Sequence, residues 1–81
     1  MADTLQIIAE YACRRSPRAA EAGKAIAELP VHLVFDSIGM LDFLSFLEQS
    51  FQIRIQDADV LPENFETFAA VARLVESKKT A

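Results

Sequence analysis

Asp36 and Ser37 stand together just ahead of an apolar pattern, and they are the residues in this chain whose type and position best suit chemistry. Both are favoured at helix starts, so the sequence predicts a helix over residues 37–51 with Asp36 as its N-cap. A serine in the first turn of such a helix exposes its hydroxyl next to backbone N–H groups that lack intrahelical partners. A phosphate group attached there would be well stabilised. The plainer alternative is that Asp36 and Ser37 merely begin the helix. The only histidine, His32, lies five residues before Ser37 and invites comparison with a hydrolase. The surroundings of Ser37 lack the Gly-x-Ser-x-Gly elbow, however, and so short a chain offers little to shape a substrate cleft. His32 is read as a loop residue, and no catalysis is expected. Cys13, the only cysteine, has no partner for an intramolecular disulfide and, with one histidine, no cysteine and histidine set for a metal. Its place near the apolar side of the first segment predicts a core thiol.

The elements that must position Ser37 read as helices. Leu5, Ile8, Ala9 and Ala12 recur at helical spacing with Gln6 and Glu10 between them, predicting an amphipathic helix over 3–15 with Pro17 at or just beyond its end. Residues 18–28 are rich in Ala and Glu, but Gly23 interrupts them and their apolar face is thin, so they are read as a loop with some helical character. Pro30 restricts Leu29 to extended geometry, and Val31–Phe35 form an apolar connection to the central helix. On that helix Met40, Leu44, Leu47 and Phe51 share the expected core face, flanked by Leu41 and Phe43. Ile38 falls on the opposite side among Asp42, Ser45 and Gln49, and Phe46 is expected well away from the core. Large apolar residues on a polar face can mark a contact site. Beyond it, Ile53 and Ile55 suit a short strand or a buried extended loop, Asp57–Leu61 one helical turn, and residues 66–77 a last helix burying Phe68, Val71, Ala72 and Val75. Lys78 and Lys79 then suit its negative end. The expected fold is all-α, a small bundle of three to four helices in one domain spanning 1–81.

Composition narrows the function further. At 81 residues the chain buries one core. Apolar residues make up 52% of it, yet no run approaches the roughly 20 needed to cross a bilayer, so no membrane association is expected. Met1, Ala2 and Asp3 begin no secretory leader, which makes cytoplasm the expected compartment. The net charge of −4 is uneven: residues 36–66 carry seven acids against Arg54, whereas residues 1–27 are net +1. Negative potential gathered in the second half repels nucleic acid and favours basic protein surfaces, so protein partners are expected and nucleic acid is not. An ordinary solvated acidic surface is the simpler reading of the charge.

The ordered set Asp36-Ser37-Ile38, Leu41, Asp42, Leu44, Leu47, Glu48 and Phe51, followed by Ile53-x-Ile55, Asp57 and Asp59, resembles the acyl carrier protein family. That family carries Asp-Ser-Leu at the start of its second helix, which ends in Leu-Glu-x-x-Phe and an Ile-x-Ile segment. Phe65-Glu66-Thr67-Phe68, with Val71 and Val75, is similar to the start and buried face of its last helix. The likeness covers residues 34–76, about half the chain. It implies that a phosphopantetheinyl transferase attaches a 4'-phosphopantetheine arm to Ser37, whose thiol then holds an acyl or aminoacyl group as a thioester. The implied partners are that transferase, a ligase that loads the arm, and enzymes that take the acyl group; the carrier would act as a monomer. Ile38 would take the place of the exposed leucine that partners contact, and Asp36, Asp42 and Glu48 would match acidic positions facing basic partner surfaces.

The chain also departs from the family pattern. Val34 replaces a frequent glycine, Ile38 a leucine and Gly39 a common aspartate, and Gln49 and Ser50 thin the acidic surface further. The first 33 residues match poorly. The stretch from Asp59 to Phe65 is similar to specialised free-standing carriers, including those loaded with amino acids by adenylating ligases. Phe43, Phe46, Phe65 and Phe68 are candidates to fill the space in which a long acyl chain would hide. These features favour a dedicated secondary pathway over bulk fatty acid synthesis. The alternative is a carrier-like helical module that is never modified and serves only to bind another protein.

Overall fold

The computed structural model describes residues 3–80, including every side chain among them except those of Lys24 and Thr80. Met1 and Ala2, which entered the reading of the N-terminus, lie outside the described residues. Among the described residues the chain forms α1 (Thr4–Arg15), α2 (Pro17–Ala22), α3 (Ser37–Phe51) and α4 (Phe68–Thr80), linked by short 3₁₀ turns. The fold is thus the small all-α bundle expected from the sequence, and no helix in it is long and apolar enough to cross a membrane.

Asp3 starts α1 by accepting the Gln6 N–H at 2.7 Å, and the helix buries Ile8, Tyr11 and Ala12. Cys13 departs from the expectation: it is exposed, with its thiol 3.7 Å from the Ala19 carbonyl. One residue beyond Ala12 is about 100° around the helix, and Ile8, Tyr11 and Ala12 already define the inward direction. Ser16 ends α1 through its N–H to the Ala12 carbonyl at 2.9 Å, and it also precedes α2, where Pro17 takes the first helical position. A proline there loses no hydrogen bond, so Pro17 begins one helix while closing off another.

The reading of residues 18–28 as a loop is corrected. They continue as α2 and then as a 3₁₀ stretch, Gly23–Glu28, with Ala19 and Ile26 buried. Gly23 makes the bend between them at φ 57°, where a side chain would be strained. The thin apolar face hid this segment because so short a helix owes its stability to packing against its neighbours. Beyond it, Pro30 and Thr67 form an isolated antiparallel bridge, and the Val31 N–H bonds to the Glu66 carbonyl at 3.3 Å. This ties the approach to α3 to the approach to α4.

The last helix begins at Phe68 rather than residue 66, because the Thr67 hydroxyl caps it by accepting the Ala70 N–H at 3.2 Å. It buries Phe68, Val71 and Val75 as expected, together with Ala70 and Leu74, whereas Ala72 is half-buried. Between α3 and α4 residues 53–56 belong to no regular element, with Ile53 and Ile55 both half-buried and no strand among the described residues. A 3₁₀ turn at Asp57–Asp59 follows. The Asp59 carboxylate accepts the Gln56 N–H at 2.9 Å and the Lys78 ammonium at 2.6 Å, while its carbonyl accepts from Asn64 at 2.8 Å. These bonds fasten the long connection to the end of α4.

Candidate functional site at the start of the central helix

The turn that holds Ser37 is fixed by its two neighbours in sequence. Asp36 is extended at φ −82° and ψ −171°, and its Oδ1 accepts the Gly39 N–H at 2.7 Å. Its carbonyl accepts the Met40 N–H at 2.8 Å, beginning the helical ladder. Loss of such a cap costs about 1 kcal/mol. Gly39 is suited to this turn: a Cβ there would lie 3.2 Å from Asp36 Oδ1 and 3.4 Å from a Phe35 ring carbon. A side chain would press on the capping carboxylate and touch the ring beneath it. Ser37 is therefore the first residue of a helix whose start is capped on the outside and backed by Phe35 on the inside. Ser37 itself is exposed.

The rest of α3 divides sharply into an inward and an outward face. Phe43 and Leu47 have no exposed surface, with Met40, Leu44 and Phe51 half-buried beside them. The core stripe is therefore centred between Phe43 and Leu47, turned from the Met40 and Leu44 line that periodicity suggested. Two expectations change as a result. Phe43 moves from flank to centre, and Leu41 leaves the core flank to stand 66% exposed. Ile38 lies outward as expected, at 74% exposed. Spacings of three, four and seven residues bring Ile38, Leu41, Asp42 and Ser45 onto one outward stripe running up from Ser37. Leu41 is the member that sequence reasoning missed.

Phe46 is also corrected. It is half-buried, and its ring stacks on Tyr11 with centroids 4.1 Å apart. The helix pattern placed it away from the α3 core stripe, but α1 supplies a second contact on that side. Tyr11, Arg15, Asp42, Ser45, Phe46 and Gln49 line a groove of about 310 Å³ there, and the Arg15 guanidinium sits 4.9 Å from the Tyr11 ring centre.

The acidic candidates separate in the same way. Asp36 is engaged as the cap, and Asp42 is exposed on the outward stripe. Glu48 is half-buried, and its Oε2 accepts the Ile55 N–H at 2.9 Å. That bond satisfies a backbone donor in the connection after α3, so part of the Glu48 charge works within the chain. His32 is exposed on a 3₁₀ turn before α3, as a loop residue would be. Among the described residues no group of three or more His, Cys, Asp and Glu is placed to hold a metal ion.

The arrangement offers an exposed hydroxyl at a helix start, with apolar and acidic side chains next to it. It suits covalent modification and protein docking. No family model, curated protein or solved structure matches this chain.

Proposed function

We propose that this protein is an acyl carrier. In this reading a phosphopantetheinyl transferase joins a 4'-phosphopantetheine arm to Ser37, and the arm's thiol holds an acyl or aminoacyl group as a thioester. The Ser37 hydroxyl oxygen attacks the pyrophosphate of coenzyme A and forms a phosphodiester with the arm. The nucleoside bisphosphate leaves, and the hydroxyl proton is released. The observation that supports this most is the exposed Ser37 at the first position of a helix capped by Asp36, flanked by an Ile38 that stands 74% exposed. The helix N-terminus favours the phosphodiester's negative charge. The first 4'-phosphate contacts would come from backbone N–H groups of that turn, as in other helix-start anion sites.

The protein then acts as a shuttle between a loading ligase and enzymes that remove the cargo. Ile38, Leu41 and Asp42 form the outward surface for those partners, with Asp36 and Glu48 adding negative potential. Charge steers encounter and the small apolar contact leaves it brief, which suits a carrier that must dissociate after each transfer. The carrier works as a cytoplasmic monomer and does no chemistry of its own.

The test is the intact mass of the folded protein after incubation with coenzyme A and a broad-specificity phosphopantetheinyl transferase. A gain of one arm, placed on Ser37 by fragmentation and absent from Ser37→Ala, is expected. An arm that still appears on Ser37→Ala would put the site elsewhere. No gain with more than one transferase would favour the second reading, an unmodified binding module, for which the adjoining exposed Ile38 and Leu41 would suffice.

A further inference from the structure

The interior beneath Ser37 is occupied by aromatic rings. Phe35, directly before the capping Asp36, lies 4.9 Å from Phe43 and 6.1 Å from Phe68, centre to centre. Phe43 and Phe68 are 5.9 Å apart, edge to face, and Tyr11 stands 5.8 Å from Phe43 and 5.9 Å from Phe35. These are the separations of aromatic rings in direct contact. Phe43, Leu47, Phe68, Val71 and Val75 have no exposed surface. Phe35 also lies directly under the Ser37 turn, since a Cβ placed on Gly39 would be 3.4 Å from a carbon of its ring.

Three grooves on the described surface lead elsewhere. One lies between the start of α1 and the outer side of α4, around Thr4, Arg73 and Glu76. A second runs along His32, Pro62, Phe65 and Glu66, and a third along Tyr11, Arg15, Asp42, Phe46 and Gln49. Each has charged or polar residues in its wall, and Phe35, Phe43 and Phe68 line none of the three. To enter the core beneath Ser37 a hydrocarbon tail would have to displace packed rings, and close-packed interiors resist such insertion.

We infer that the cargo of this carrier is a short or polar acyl group that stays outside the helical core, and that a medium or long hydrocarbon chain is not taken inside. This inference rests on the carrier reading and narrows its substrate class. A short acyl group has little apolar surface to hide, and a polar one is better solvated in water than among phenylalanine rings. Either leaves the thioester open to solvent and to the next enzyme.

The experiment compares two cargoes on the same protein. A broad-specificity transferase is given acetyl-coenzyme A or octanoyl-coenzyme A, each product is verified by intact mass, and thioester cleavage by hydroxylamine is followed. A cargo that spends most of its time buried reacts only in the exposed fraction, so its rate falls by that fraction. The expected result is cleavage of the octanoyl thioester within about twofold of the acetyl one, with the amide NMR signals of Phe43, Leu47, Phe68 and Val71 unmoved between the two. Protection of the octanoyl thioester by about tenfold or more, with shifts of those core signals, overturns the inference and leaves the carrier reading standing. Absence of any arm on Ser37 with either coenzyme overturns the carrier reading, and the cargo class falls with it.

Discussion

Replacing Phe43 and Leu41 in separate variants tests the direction in which α3 faces, on which the outward stripe beside Ser37 depends. Phe43 has no exposed surface and touches the rings of Tyr11, Phe35 and Phe68, whereas Leu41, two residues earlier, is 66% exposed. Truncation of a fully buried phenylalanine to alanine removes its transfer free energy and leaves a cavity, about 3–5 kcal/mol in all. A domain of this length has a total stability of about 4–12 kcal/mol. Phe43→Ala therefore uses a large part of the available stability, and the milder Phe43→Leu is the variant to quantify, at about 1–2 kcal/mol. Full burial of a leucine contributes about 1.5–3 kcal/mol, and Leu41 keeps only a third of its surface covered, so Leu41→Ala should cost below about 1 kcal/mol. Urea unfolding followed by circular dichroism measures all three. At about 4–8 °C per kcal/mol, thermal melts should place Leu41→Ala within a few degrees of the parent and Phe43→Leu clearly below it. If Leu41→Ala proves as damaging as Phe43→Leu, the helix is rolled the other way. The outward stripe would then lose its central member.

Two further expectations concern the parts that hold the site in place. Gln52 closes α3 in the left-handed region at φ 53°, a conformation that costs a residue with a side chain about 1 kcal/mol, so Gln52→Gly should raise stability in urea by up to that amount; a loss would mean that the Gln52 side chain contributes contacts outweighing the backbone strain. Asp59 accepts from the Lys78 ammonium and the Gln56 N–H, and these hold its carboxyl below the ordinary aspartate value of 3.8. A folded-state value below the unfolded one means that the contribution is fully present above the unfolded value and is lost as pH falls through the folded value. Stability measured from pH 5 downward should therefore fall less steeply in Asp59→Asn than in the parent; equal slopes would show that the bond does not persist in solution.

The sequence determined a good deal about this protein by local rules. Asp36 before an apolar pattern fixed the start of α3, because a capping carboxylate and the first free N–H groups are within three residues of one another. The helical spacing of Leu5, Ile8, Ala9 and Ala12 located α1, and the side of α3 carrying Ile38 was legible from a 100° advance per residue. The all-α class followed from those periodicities. Ser37 likewise stands out in the sequence as the residue that follows a capping aspartate at the head of an apolar pattern.

What only the tertiary structure decided was how each helix is turned and what it meets. Periodicity gives the width of an apolar stripe but not its centre when eight of fifteen residues are large and apolar, as on α3. Contacts with Tyr11 and Phe68 chose Phe43 over Leu44 as the centre and left Leu41 outside. Residues 17–28 became helix because Ala19 and Ile26 found buried places, which no local propensity could supply. Cys13 was turned outward by the burial of its neighbour Ala12, and Glu48 was drawn to the Ile55 N–H seven residues away. The cargo class proposed here belongs with these, for it depends on whether four rings from three helices and a loop meet in one place. Local sequence sets where elements start and stop because those interactions span a single turn. The filling of the interior is a many-body matter, settled only when the elements pack.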